Sequence, residues 1–358
     1  MHHKEISFQQ AAWKRLKKNK GAVFGLVIIC IAAIVAIFAY FIAPDKTPNA
    51  NRIIVEIDGE KPGFKQQFLL VQKDNPPHTS FFSQLVSGKE DRYNYIPITS
   101  YEEKPDSIIV QKLIDVGVTE RQAWSKSQVT NNPINQFTYS LGTDSYGRDI
   151  LSRIIIGTRV SLSVGLITVI ISLSIGLILG SLAGYFRGRT DEIIMWFINV
   201  IWSIPTLLLV FAITLLLGKG FWQVFIAVGL TMWVNVARLV RSQVMTVREL
   251  EYVEAGKALG YSSFRIIVRH IWPNIMGPVI VIAASNFASA IVIEAGLSFL
   301  GVGVQPPMPS WGLMIKENYN FIITENPVLA LAPGFAIMLL VLAFNLLGNG
   351  LRDALNVR

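Results

Sequence analysis

Val160-Ser161-Leu162-Ser163-Val164-Gly165-Leu166-Ile167-Thr168-Val169-Ile170-Ile171-Ser172-Leu173-Ser174-Ile175-Gly176-Leu177-Ile178-Leu179-Gly180-Ser181-Leu182-Ala183-Gly184-Tyr185-Phe186 runs for 27 residues without a charge. At about 1.5 Å of rise per residue it reaches about 40 Å as a helix, more than the ~30 Å hydrocarbon core of a bilayer. Lipid offers no partner to backbone N–H and C=O groups, so such a run crosses as a helix with its hydrogen bonds internal. Five more uncharged runs meet the same criterion, at 21–43, 193–218, 220–237, 271–293 and 326–351. The predicted class is an all-α polytopic membrane protein with six transmembrane helices. Composition agrees, with 52% of the 358 residues hydrophobic and 16% charged, against roughly 25% charged in a soluble domain. A disordered chain and a disulfide scaffold are excluded; the single Cys30 permits no internal disulfide.

The first run has a basic flank (Lys14, Arg15, Lys17, Lys18, Lys20) like a signal peptide. Its apolar part is longer than an h-region and its exit, Ala43-Pro44-Asp45, is a poor cleavage site, so a retained anchor is expected. With the N-terminus inside, sixteen Lys and Arg fall in the cytoplasmic segments and two, Lys219 and Lys316, in the short external loops. The positive-inside rule therefore puts both termini in the cytoplasm. The other 14 basic residues lie in 44–159 beside 14 acids, so the net charge of +8 orients the chain in a membrane and requires no nucleic acid.

These features divide the chain into a basic segment 1–20, a first span 21–43, an external insert 44–143, a core 144–351 and a tail 352–358. The insert is polar and rich in turn signals, among them Asp58-Gly59, Lys61-Pro62-Gly63, Asn75-Pro76-Pro77 and Asn131-Asn132-Pro133. It reads as a small external α+β domain. Residues 53–57 and 67–71 are expected to form a hairpin, 106–110 a strand, and 118–126 a short helix capped by Thr119.

Within the spans, Thr168, Ser172, Gly176, Gly180 and Gly184 form one ridge of small residues, the pattern of a close helix seam. Pro205, in Trp202-Ser203-Ile204-Pro205, should kink the third span. Asn199, Asn235, Asn286 and Asn345 are isolated polar residues in apolar runs, where such groups face the bundle interior or a water-filled path. Glu294 is the one acid beside a span, expected near its outer, solvated end.

Between the fourth and fifth spans, 247–273 reads as a hairpin outside the membrane. Residues 247–259 favour helix, Gly260 ends it, Ser262-Ser263 cap a second helix, and Pro273 stops that one. Phe264, Ile267, Val268 and Ile271 are expected to share a face. Ala255, Gly256 and Ala258 leave the first helix slim enough to enter a partner's groove. Glu249, Glu251 and Glu254 argue against simple attraction to lipid headgroups.

Glu254-Ala255-Gly256-x3-Gly260-x9-His270-Ile271-Trp272-Pro273 resembles the EAA coupling motif of bacterial ABC-importer permeases, departing at Gly256, where Ala is usual, and Trp272, where Leu is usual. Leu141-Gly142-Thr143-Asp144-Ser145-Tyr146-Gly147-Arg148-Asp149-Ile150-Leu151-Ser152-Arg153, with Gly157-x-Arg159-Val160-Ser161-Leu162, resembles the C-type subunit of oligopeptide and dipeptide permeases. So does Glu294-Ala295-Gly296-Leu297-Ser298-Phe299-Leu300-Gly301-Val302-Gly303, followed by Pro306-Pro307-x-Pro309-Ser310-Trp311-Gly312. The likeness covers about 1–43 and 140–358; the insert is longer than the family pattern, and Tyr139-Ser140 replace a frequent His-Pro.

The resemblance implies a type I ABC-importer permease core in the bacterial inner membrane. Its partners would be a second, B-type permease subunit, two cytoplasmic ATPases carrying ATP and Mg, and an external solute-binding protein. Glu254, Ala255, Gly256, Ala258, Gly260, His270 and Pro273 would couple to the ATPase. Asn199, Pro205, Asn286, Glu294, Ser298 and Asn345 are candidates for the translocation path or outer gate. Residues 44–136, by their place on the receiving face and their neutral, polar composition rather than by the resemblance, are expected to help receive the binding protein or to be a family-specific decoration. Peptides are the implied cargo, with nickel and opines as alternatives. No Gly-x4-Gly-Lys-Ser/Thr loop exists in the chain, so energy is expected from a partner and no catalytic residue is assigned. A secondary transporter would need intramembrane ion ligands, for which Glu294 alone is a poor supply. A membrane metalloenzyme fits badly with His2, His3, His78 and His270 so scattered.

The orientation has a direct test. With Cys30 replaced and a single cysteine placed at 258, an impermeant reagent should label inverted vesicles and leave intact cells unlabelled.

Overall fold

The structure, a computed structural model, describes residues 8–74, 80–323 and 326–355. His2, His3, His78 and the Asn75-Pro76-Pro77 turn signal lie outside them. The helices are α1 (Phe8–Lys18), α2 (Lys20–Ile37), α3 (Ala39–Ile42), α4 (Phe81–Ser87), α5 (Ile150–Phe186), α6 (Gly188–Trp202), α7 (Thr206–Leu217), α8 (Phe221–Arg248), α9 (Glu251–Ala258), α10 (Ser263–Ile266), α11 (Trp272–Phe299), α12 (Trp311–Asn318) and α13 (Val328–Ala354). The strands are β1 (Phe64–Gln72), β2 (Tyr93–Glu103), β3 (Ser107–Asp115), β4 (Val118–Ser125) and β5 (Val129–Tyr139). Among the described residues, five helical segments are long and apolar enough to cross a membrane, and six if α6 and α7, bent by 91°, form one broken span.

The chain folds as two compact units, Met1–Ala32 with Ser161–Gln305 and Ile337–Arg358, and Ala33–Val160 with Pro306–Ala336. In the first, the small-residue ridge of α5 lies against α8. A Cβ added at Gly176 would sit 2.5 Å from Val236, at Gly180 2.5 Å from the Ala237 carbonyl oxygen, and at Gly184 2.7 Å from the Arg241 carbonyl oxygen. Only glycine permits that approach. The sequence expectation of a kink at Pro205 is met as a full break between α6 and α7. The proline N–H is missing, and the N–H groups of Ser203 and Ile204 close the end of α6 on Asn199 and Ile201. Pro273, by contrast, does not stop a helix. It lies in the first turn of α11, where an N–H needs no partner, and a π-helical turn at Ile267–Ile271 carries the chain from α10 into α11. That turn adds a residue to the helical repeat, so Phe264 leaves the face it was expected to share with Ile267 and Ile271. Phe264 is 76% exposed while the other two are buried.

The second unit carries a five-stranded antiparallel sheet in the order β4-β3-β2-β1-β5. Its alternation sends Leu69, Val71, Ile98, Ile108 and Val110 into one core and Phe68 and Leu70 into another with Ile54, Ile57 and Tyr139. The expected helix at 118–126 is instead β4. Val116-Gly117 makes the turn, with Gly117 at φ +76°, and pairing to β3 outweighs local helix preference. Residues 53–57 do not form a hairpin with β1 either. Val55–Ile57 is a 3-10 turn whose backbone is claimed by the loop before α5. Ile54 N–H donates to Tyr146 O, and the Thr143 hydroxyl donates to Ile57 O.

That loop is a buried ionic lock. Asp144 Oδ1 accepts the N–H groups of Tyr146 and Arg148, and Oδ2 accepts Arg148 Nε at 2.7 Å. Arg148 Nη2 reaches Glu317 Oε2 at 2.8 Å, and Arg153 Nη2 reaches the same oxygen at 3.3 Å. Gly142 and Gly147, at φ +82° and +70°, let the turn close where a Cβ would strike the backbone of Glu60 and Ile54. Asp149 caps α5 by accepting the Ser152 N–H at 2.9 Å; burial pushes its carboxyl above the usual carboxylate range, opposed by the bonds from Ser152. Breaking one partner of such a buried pair costs about 3–5 kcal/mol. Asp144→Ala should therefore lower thermal stability in nanodiscs by that order, whereas Lys104→Ala on the sheet rim should leave the melting point unchanged.

Candidate functional site

Two features of the first unit carry the chemistry of interest: a solvent-exposed hairpin and a polar cavity. The hairpin is built where α8 ends. Glu249 and Leu250 break the helix, and α9 follows, so Val247 and Arg248 belong to α8 rather than to the hairpin's first helix. Gly260 then turns the chain at φ +76°, and the Ser262 hydroxyl caps α10 by accepting the Arg265 N–H. The Tyr261 N–H donates to Gly256 O at 3.1 Å, reaching back over the end of α9 as a glycine-closed helix terminus does.

Its underside is packed. Val253, Ile266, Ile267 and Ile271 are buried with Tyr185, Val244 and Val247. Tyr261 stacks on His270 with ring centres 5.8 Å apart, and Arg265 lies over Tyr261 at 4.7 Å. Glu249 pairs with Arg187, and that hydrogen bond holds its carboxyl below the ordinary range. The crest is open. Glu251, Glu254, Ala255, Lys257, Ala258 and Gly260 are exposed, as are Leu250, Tyr252, Phe264 and Leu259, the last at 71%. A rigid base under an exposed crest of mixed acid and apolar character is suited to a protein groove. Leu259 and Phe264 complete this crest; Phe264 was expected on one face with Ile267, Val268 and Ile271, and the signal for Leu259 is an apolar residue next to the helix-ending Gly260.

The second feature is a cavity of about 200 Å³ at the α6–α7 break, lined by Trp202, Thr206, Thr231, Asn235, Asn286 and Ser289 among others. Asn286 is buried, and its Nδ2 has no hydrogen-bond partner among the described residues. Pro205 forms the break beside it. The other polar candidates are not gathered there. Asn199 accepts from Arg238 at 2.6 Å, and Asn345 is exposed. Glu294 is fully buried rather than solvated; Ser298 one turn on donates to it at 2.6 Å, and the Ser298 oxygen also accepts the Val304 N–H. In the second unit, two distant stretches meet. A Cβ at Gly157 would lie 2.8 Å from the Trp311 ring, whose Nε1 donates to Ile154 O. Among the described residues no group of three or more His, Cys, Asp or Glu is placed to hold a metal.

Residues 176–358 match the family described as binding-protein-dependent transport system inner membrane component. The chain belongs to that family. Residues 7–55 match the N-terminal transmembrane domain of oligopeptide transport permease C. The dipeptide transport system permease protein DppC of Bacillus subtilis is 32% identical over 98% of this chain and 86% of its own length. The glutathione transport system permease protein GsiD of Pectobacterium atrosepticum is 43% identical over 60% of this chain and 71% of its own. The MetNI methionine ABC transporter, solved facing inward, superposes with a TM-score of 0.48 at 17% identity, over 57% of this chain and 97% of that one.

As a member of this permease family, the chain departs from the coupling-motif pattern at Gly256, and the geometry shows the departure is not enforced. A Cβ there would meet Tyr261 Cδ2 at 3.4 Å and Ile266 Cγ1 at 3.9 Å, ordinary contact. Glycine inside a helix costs about 0.5–1 kcal/mol relative to alanine. Gly256→Ala should stabilise the hairpin by that amount, read as slower amide exchange over α9, with transport retained.

Proposed function

We propose that this chain is one permease subunit of an ATP-driven, binding-protein-dependent peptide importer. It pairs with a B-type permease, two cytoplasmic ATPases and an external binding protein, in the inner membrane with both termini cytoplasmic. The observation that carries the reading is the hairpin: an exposed crest on a buried base, joined to α8 on one side and to α11 on the other. A partner that grips the crest moves both spans as levers. ATP-driven closure of an ATPase groove around α9 and α10 then shifts the population between inward- and outward-open states. The chain supplies no phosphate loop, and hydrolysis belongs to the partners.

The cavity at the Pro205 break is proposed as part of the translocation path. Its Thr, Asn and Ser groups hydrogen-bond a peptide backbone without holding it tightly, and irregular backbone at membrane depth is tolerated where it lines such a space. The relatives' names cover glutathione, dipeptides and oligopeptides, all peptide-bonded cargo, which supports peptides over nickel or opines. The sheet unit is proposed to stand on the external face, where the binding protein arrives.

Gly260→Val places a β-branched residue at φ +76°, at a cost of about 1–3 kcal/mol, while Gly260→Asn tolerates that conformation. In the reconstituted complex, Gly260→Val and Glu254→Lys should insert normally yet lose peptide uptake and the stimulation of ATP hydrolysis by loaded binding protein. Gly260→Asn should keep most of both. Wild-type uptake by Glu254→Lys and Gly260→Val would remove the hairpin from the transmission path.

A further inference from the structure

We propose that α4 is a membrane-interface anchor: a short helix fixed to the end of the first span that lays Phe81, Phe82, Leu85 and Val86 into the lipid at the headgroup–acyl boundary. This goes beyond the transport reading and does not depend on the cargo.

The helix has a sharp division of faces. At 100° per residue, Phe81, Phe82, Leu85 and Val86 fall within an arc of about 140°, with Ser83, Gln84 and Ser87 opposite. No residue of α4 is buried. Phe81, Phe82 and Val86 are 64%, 77% and 63% exposed. Two phenylalanines on one seven-residue helix, both facing out, form an apolar patch that a water-facing surface has no reason to keep.

The patch is also held rigidly, and held next to a membrane span. The Phe81 ring packs on Phe41 of α3 with centres 5.3 Å apart. Arg159 Nη1 donates to Leu85 O at 3.0 Å and Val86 O at 3.2 Å, satisfying carbonyls at the end of α4, and its guanidinium lies 5.1 Å from the Tyr40 ring. Gly88, at φ +86°, allows a close approach: a Cβ there would lie 2.8 Å from Tyr40 Cε1. These contacts tie α4 to the residues that close the first span.

The occupant follows from what α4 continues. Ile34, Ile37, Phe38 and Ile42, on α2, α3 and the residue between them, are large apolar side chains exposed on that same terminal part of the span. They face lipid if α2 crosses the bilayer, and the Phe41–Phe81 contact makes the α4 patch an extension of that surface. Beyond it the chain turns polar at once, with Asp45 and Lys46, and Lys89 is joined to Lys46 through a backbone hydrogen bond of 2.7 Å. An apolar face at the span end with lysines next in sequence has the layout of an in-plane helix whose apolar side sits ~5–10 Å into the interface.

The test uses the full chain in its assembled transporter, in nanodiscs of phosphatidylethanolamine and phosphatidylglycerol. Cys30 is the single cysteine, so Cys30→Ser gives a clean background for one spin label at a time at Phe82→Cys, Val86→Cys, Ser83→Cys or Ser87→Cys. Labels at 82 and 86 should collide several-fold more with oxygen than with a water-soluble nickel chelate, at a depth of ~5–10 Å. Labels at 83 and 87 should show the reverse preference. Nickel access at 82 and 86 equal to that at 87 would overturn the anchor, because the patch would then face water. Shielding of 82 and 86 from both reagents would overturn it as well, making the patch a contact with another subunit. Because these side chains are exposed, labelling leaves the fold intact, and either position alone decides the result.

Discussion

The approach of α5 to α8 is the constraint on which the first unit rests. Three glycines, one turn apart, bring the α5 backbone within contact of Val236, Val240 and Val244 and of α8 carbonyl groups. In lipid, side-chain hydrophobicity does little to hold helices together, since tails are as apolar as leucine; close backbone packing does that work. The seam fixes α8, and α8 in turn packs against α7 and α11 and passes into the hairpin. The buried residues beneath the hairpin, Val253, Ile266 and Ile271, share one cluster with Tyr185, Val240 and Val244 of the seam. A push on the exposed crest is therefore received by packed side chains that lead straight to the helix interface. Packed interfaces respond by switching between discrete arrangements rather than by bending, which suits the coupling role proposed for the hairpin.

The ionic lock in the second unit applies a different physics. Taking Arg148, Arg153 and Asp144 out of water costs several kcal/mol per ion, and the mutual attraction offsets this only with good geometry. Asp144 accepts two backbone N–H groups and one guanidinium N–H, and Glu317 receives a bond from each arginine, while Arg153 Nε and Nη1 have no hydrogen-bond partner among the described residues. Such a lock adds specificity more than net stability. It fixes which loop lies against the start of α5, with the Thr143 hydroxyl and the Gly147 turn holding residues 54–60 in register. The contacts of the motif around Asp144 are those of a scaffold, with its charged groups bonded to one another and to the backbone just before a span.

Much of this was legible in the sequence because the signals there are dictated by the chain itself. Uncharged runs give spans since lipid leaves no alternative. Pro205 breaks a helix because its N–H is missing, and Gly260 and Ser262 sit where a positive φ and a hydroxyl cap are needed. The failures come from pairings and turns that the apolar pattern of each segment does not announce, only one of them between stretches remote in sequence. Residues 118–125 became a strand by pairing with β3, 53–57 were claimed by the loop at 143–147, and Glu294 is buried and bonded to Ser298 in a local turn that includes Val304. Phe264 was misplaced by the π-helical turn, a one-residue change of phase that no apolar pattern announces.

If the cavity at the Pro205 break is the transport path proposed for it, two demands are met there together. A path must expose hydrogen-bonding groups at membrane depth, where each unsatisfied one is costly. Asn286 is the clearest instance, buried with an Nδ2 that has no hydrogen-bond partner among the described residues. The group lines a cavity of about 200 Å³ together with Thr231, Asn235 and Ser289, a polar space large enough to admit water. On the translocation-path reading proposed above, a cargo amide would meet these side chains in place of water at little net gain, and such weak binding would favour release. The broken helix then has a second use: with no continuous hydrogen-bond ladder across residues 203–205, α6 and α7 can change their angle without tearing a helix apart. The cavity thus lies where the helix is already broken at Pro205.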